Sequence, residues 1–120
     1  MSVFKSAFAS QVQDLIETES ASRTLTVKLG RANQSDEIVY ARLREEIARL
    51  TEEGEIREII FDLSDMLVLP SSALGLIAAV SQGDVAVRVI NASQAAREDF
   101  LMTKLYRIVE VEPALNPPPK

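Results

Sequence analysis

An α/β fold, a single domain with a four- to five-stranded mixed sheet of mainly parallel strands, is predicted by three features of the chain. From Thr24 onward, segments with a two-residue apolar period alternate with segments of helical period, the pattern of strand–helix–strand crossovers. One segment, Ile56 to Leu63, is almost wholly apolar, as strands inside a sheet are. And 120 residues with 47% hydrophobic and 26% charged content suffice for one core and not for two.

Residues 1–23 are the least regular. Val3, Phe4, Ala7, Phe8, Val12, Leu15 and Ile16 recur at mixed three- and four-residue steps, which fits an amphipathic helix packed on the domain. A short strand near Val3–Phe8 is the competing reading. Glu17 to Arg23 reads as a polar connector. The domain proper is expected over 24–111. There Thr24-Leu25-Thr26-Val27-Lys28-Leu29 alternates and ends at Gly30, as a half-buried strand does. Ala32 to Ser35 is loop, and Asp36 is placed to cap a helix. Val39, Leu43, Ile47 and Leu50 mark one face of that helix, which runs to about Glu52 and ends by Gly54. Arg42, Arg44, Glu45, Glu46 and Arg49 form its solvated faces. An i,i+4 pair of Glu45 with Arg49 would add only about 0.3 kcal/mol.

Ile56, Ile59, Ile60, Phe61 and Leu63 predict a strand covered on both faces. Ser71 to Gln82, rich in Ala, Leu and Ile, predicts a helix stopped by Gly83. Val85, Val87, Val89 and Ile90 form the next strand, with Asn91 and Ala92 as its exit. Ser93 then caps a helix to about Leu105, with Ala96, Phe100, Leu101 and Leu105 inward. Tyr106 to Val111 is a short β-prone stretch. The tail, 112–120, is too rich in proline for a regular element.

Composition narrows function. There is no Cys and no His. That removes disulfides, thiolate metal sites, a cysteine nucleophile, the commonest general base and the commonest transition-metal ligand. The net charge is −5 and the basic residues are scattered, so nucleic-acid binding, which needs concentrated positive charge, is disfavoured. No apolar run reaches the ~20 residues of a membrane span. Met1-Ser2-Val3-Phe4-Lys5 lacks the apolar core of a signal peptide, so a cytoplasmic location is expected. Asp62 and Asp65 could be read as a carboxylate pair or a hard-cation site. Without a pocket or further oxygen ligands they read better as a strand end and a solubilised turn. Gly30 and Gly75 build no phosphate-cradling motif.

The segment with the most chemistry is Phe61-Asp62-Leu63-Ser64-Asp65-Met66-Leu67-Val68-Leu69-Pro70-Ser71-Ser72-Ala73-Leu74-Gly75. A strand ends in an acidic turn, an apolar run stops at Pro70, and two serines open a helix. In parallel sheets, sites gather at the carboxyl ends of the strands, where this segment lies. A serine at a helix start either caps backbone N–H groups or accepts a phosphate that the helix dipole tolerates. Met66 to Leu69 read mostly as core, the alternative being that one or two of them face a partner.

This segment resembles the STAS domain, the fold of bacterial anti-sigma factor antagonists. There an Asp/Asn-Leu strand end and a short apolar run precede Asp-Ser-Ser/Thr-Gly-Leu-Gly. The element order from Thr24 to Val111 and the turn Val89-Ile90-Asn91-Ala92-Ser93 are similar as well. Pro70 and Ala73 depart from the pattern, replacing an acidic residue and a glycine. The resemblance implies a non-enzymatic, cofactor-free regulatory module. Its partner would be an anti-sigma factor of kinase type, which would supply the ATP. Ser71 maps to the phospho-acceptor, with Ser72 as second choice. Asp36, Leu69, Pro70, Ser71, Ser72, Ala73 and Leu74 map to the partner surface. The alternative is an unphosphorylated scaffold or a subunit of a larger assembly, such as a transporter's cytoplasmic part. Oligomeric state stays open, a homodimer included.

Overall fold

Residues 14–31, 37–54 and 56–112 are described by the structure, a computed structural model. Within them one sheet holds five strands in chain order: β1 Ile16–Glu19, β2 Thr24–Lys28, β3 Glu58–Asp62, β4 Ala86–Ile90 and β5 Glu110–Glu112. β1 pairs antiparallel with β2, and the other three pairings are parallel. The parallel strands are joined by helices α1 Glu37–Gly54, α2 Ser71–Ser81 and α3 Gln94–Met102. The mixed, mainly parallel sheet is the one expected.

Spatial order equals chain order, so each crossover advances one strand in the same direction. With right-handed connections, all three helices then fall on one face of the sheet. The burial pattern agrees. Leu25 and Val27, Ile59 and Phe61, Val87 and Val89, and Val111 are buried. Their alternate neighbours Thr24, Thr26, Lys28, Glu58, Ile60 and Asp62 are only half-buried. The strand around Ile60 is therefore not covered on both faces, contrary to its near-continuous apolar run. Across the sheet Ile60 lies between Thr26 and Arg88, on the face where Arg88 pairs with Glu58 at 3.2 Å. The core lies on the helical side. Val39, Leu43 and Ile47 of α1, Leu76 and Ile77 of α2, and Phe100 of α3 close over the strands. Burying a side chain such as Phe61 or Phe100 stabilises by about 1.5–3 kcal/mol.

Several boundaries differ from expectation. Ile16, expected on an amphipathic helix, and Glu17 to Glu19, expected in a polar connector, form edge strand β1, because Ser20 to Arg23 is a tight turn that folds them back onto β2. Arg23 takes a positive φ of 57° there, and its N–H reaches the Ser20 carbonyl at 3.3 Å. The stretch after α3 is not continuous strand. A 3-10 turn, Leu105–Arg107, precedes β5, and Lys104 enters it with φ 62°. Arg49 does not pair with Glu45. It binds Glu46 one turn back and Glu53 at 2.8 Å, and Glu45 faces Arg42 instead. The readings made for residues 1–13, for Ala32 to Asp36 and for the tail beyond Glu112 lie outside the described residues.

Candidate functional site

The carboxyl ends of β3 and β4 are bound together by one carboxylate. Asp62 Oδ1 accepts the Ser64 N–H at 2.9 Å, the Ser64 hydroxyl at 2.6 Å and the Asn91 side-chain amide at 3.1 Å. Asn91 is free to reach across because it adopts φ 59°, a conformation Asn tolerates better than most residues. Burial works against charge on Asp62. The Ser64 and Asn91 bonds and the nearby Lys28 ammonium outweigh it, so the carboxyl sits below its ordinary range. Asp62 is thus the knot of a turn. Asp65, at φ 67°, completes that turn and lines a cleft of about 160 Å³ with Asp62, Ser64, Lys28 and Gly30.

A second contact fixes the same turn from the other side. The backbone of Gly30, just past β2, lies so close to the Ser64 carbonyl that an added Cβ would stand 1.8 Å from its oxygen. Glycine is required there by approach and not by dihedral angle.

From this turn the chain runs to α2 through four apolar residues that divide by side. Met66 and Leu69 are buried, at 2% and 4% exposure, whereas Leu67 and Val68 stand out at 79% and 64%. The expectation that Leu69 belongs to a partner surface is therefore corrected: it is core. Ala73 is core as well, at 0%, which removes it from any contact surface. The reason is the backbone path. Ser93 Oγ donates to the Leu67 carbonyl at 2.7 Å and pins the loop beside α3. The same oxygen accepts the Ala96 N–H at 3.1 Å, so Ser93 caps α3 as expected.

Pro70, and not a serine, occupies the N-cap of α2, with φ −63°, ψ 156° and no side-chain cap bond. Ser71 is the first helical residue and exposed; Ser72 and Leu74 are half-buried. No hydrogen bond engages the Ser71 hydroxyl among the described residues. The capping role open to Ser71 from sequence is thus not the one it performs. Proline is favoured at the first helical position. One residue earlier, its fixed φ still suits the extended cap geometry.

Alongside, the first two turns of α1 and α2 leave a groove of about 270 Å³ lined by Tyr40, Ala41, Arg44, Ser72, Gly75 and Leu76. Tyr40 was not singled out from sequence, and Arg44 was read only as part of a solvated helix face. A tyrosine flanking the buried seam Val39–Leu43–Ile47 was the signal that could have marked them. Burial pushes the Tyr40 phenol above its ordinary value.

Residues 16–116, more than three quarters of the chain, match the family model of the STAS domain. No curated protein matches the chain. No helix among the described residues is long and apolar enough to cross a membrane. The five-stranded mixed sheet, the three crossover helices and the strand–loop–helix junction at Ser71 agree with that match, and the chain belongs to the STAS domain family, whose members act as regulatory or scaffolding modules through protein–protein contact.

Proposed function

We propose that this chain is a non-enzymatic regulatory module that docks on a kinase-type anti-sigma factor through the loop and helix start at 67–72, with Ser71 as its switch. The observation that carries this reading is the pair Leu67 and Val68, held exposed just ahead of a serine whose hydroxyl makes no hydrogen bond among the described residues. Apolar side chains anchored by Ser93 form a firm contact point. Burying them on a partner yields roughly 25 cal/mol per Å² of apolar surface removed from water, before the cost of association.

A phosphate on Ser71 would add about −1.5 to −2 charges at pH 7. In the free domain the amino end of α2, lacking a side-chain cap, accommodates that charge. Against a partner the same charge would be desolvated, which is costly. Phosphorylation would then release the partner without unfolding the module. The absence of His and Cys supports a binding role over catalysis, and the ATP would belong to the partner.

The second reading, an unphosphorylated scaffold, is favoured by Pro70, which leaves no carboxylate beside the serine. Phosphorylation with a cognate kinase and ATP, followed by intact mass, separates the two. The switch reading expects one phosphate, lost in Ser71→Ala, and loss of partner binding in Ser71→Asp. If the kinase adds no phosphate and Ser71→Asp binds the partner like the wild type, the scaffold reading replaces it. Leu67→Asp combined with Val68→Asp should abolish binding in either case while the fold persists.

A further inference from the structure

We infer that the open face of the sheet, turned away from the three crossover helices, docks an amphipathic helix of a second protein, apolar along one stripe and flanked by lysines or arginines.

Parallel strands are ordinarily covered on both faces. Here the helices cover one, and the register lays out the side chains of the other in rungs. Thr26, Ile60 and Arg88 stand side by side across β2, β3 and β4, with Lys28, Asp62 and Ile90 as the next rung. Ile60 and Ile90 are half-buried and stand outside the core cluster. Both edges of this floor are acidic. On β1, Glu17 lies opposite Thr26 and Glu19 opposite Thr24. On β5, Glu110 lies opposite Arg88 and Glu112 opposite Ile90. With Glu58 and Asp62, the face carries six carboxylates against two cations, an excess of four negative charges in a chain of net charge −5. The two cations are already engaged. Lys28 holds Glu17 at 2.6 Å. Arg88 holds Glu58 at 3.2 Å and reaches Glu110 and Glu112 only at 3.8 Å.

This layout selects the occupant. Four strand spacings of ~4.8 Å set the two glutamate rails about 19 Å apart. A helix about 10–12 Å across fits between them. Its apolar stripe would rest on Thr26, Ile60 and Ile90. Lysine or arginine side chains on its flanks would lay their stems along the floor and carry their charges out to both rails. Charge complementarity of this kind sets partner choice and register. A second copy set face to face would oppose acid to acid. Residues 1–13 of this chain carry a single basic residue, Lys5, too little to match the excess. The inference stands apart from the docking role of Leu67 and Val68, which lie beyond the carboxyl ends of the strands.

The chain has no Cys, so Ile60→Cys puts one thiol on the face of the full chain. Its modification by a maleimide is followed by intact mass, with Leu67→Cys as the exposed control. A synthetic amphipathic helical peptide of Leu and Lys should slow modification of Ile60→Cys saturably and leave Leu67→Cys unaffected. The same peptide with Glu in place of Lys should do neither. Adding Glu19→Lys and Glu112→Lys should weaken the protection roughly tenfold with little change in melting temperature, since both glutamates are exposed. Salt at ~1 M, where the screening length falls to ~3 Å, should weaken it likewise. Leu67→Asp with Val68→Asp should leave it unchanged. Thr26→Cys repeats the test beside Ile60 if Ile60→Cys fails to fold. Protection that is absent, that falls on Leu67→Cys, or that survives the two charge reversals overturns the proposal. So does a thiol at position 60 that is unreactive in the chain alone, because residues 1–13 or a second copy would then already cover the face.

Discussion

Ser93 Oγ donates to the carbonyl oxygen of Leu67 at 2.7 Å, across 26 residues of chain, while accepting the Ala96 N–H that opens α3. One hydroxyl thereby caps a helix and sets which way the loop before α2 faces. Ser93→Ala should lose about 1–2 kcal/mol from the cap and the loop bond together. Ser93→Asp should retain the cap, since a carboxylate accepts but cannot donate, and lose only the bond to Leu67. Urea unfolding of both, with hydrogen exchange over 66–69, checks this. Equal protection of that loop in wild type and Ser93→Asp would show that the bond does not hold it.

The four loop residues should behave as two pairs. Leu69→Ala removes a buried side chain and should cost about 2–5 kcal/mol. Leu67→Ala, on an exposed side chain, should stay within about ±0.5 kcal/mol. In a binding assay under conditions where both proteins are folded, the order should invert, with Leu67→Ala the weaker binder. Chemical denaturation and calorimetric titration give the two orders.

Gly30→Ala and Gly75→Ala should shift stability in opposite directions. At Gly30 the new methyl group meets the Ser64 carbonyl. The β2 exit and the acidic turn must then part, at about 1–3 kcal/mol for an overpacked contact. At Gly75 nothing obstructs the methyl group, and the helix gains up to about 1 kcal/mol. Melting temperatures of the two variants decide it, and a neutral Gly30→Ala would mean the turn yields freely.

Asp62 should make stability fall in acid. Its carboxyl is held below the ordinary aspartate value of 3.8. The folded state therefore binds its proton less readily than the unfolded state does. Its contribution is present in full above the unfolded value and is lost as pH falls through the folded one. Asp62→Asn should lack this part of the acid loss, so the gap between wild type and variant should narrow from pH 7 toward pH 3. Urea midpoints across that range test the sign, and a gap that widened would reverse it.

Much of this molecule was legible one residue after another. The alternation from Thr24 to Ile90 determined the strand and helix order, because side-chain period is a local property that burial on one face imposes. The serine at 93 was legible as a cap for the same reason: capping acts within one turn. Only the tertiary structure decided the rest. β1 joins the sheet through a turn at Arg23 whose positive φ no residue type there announces. Met66 to Leu69 are four apolar residues in a row, and periodicity cannot divide them. The division comes from Ser93, Asn91 and Gly30, which tie the loop to distant strands and turn Leu67 and Val68 outward. Ser71 opens α2 without capping it because Pro70 stands one position earlier. The groove of Tyr40, Arg44 and Ser72 exists only because two crossover helices start at the same end of a parallel sheet. Contacts between residues that far apart in the chain are set by how the elements pack, which no local pattern records.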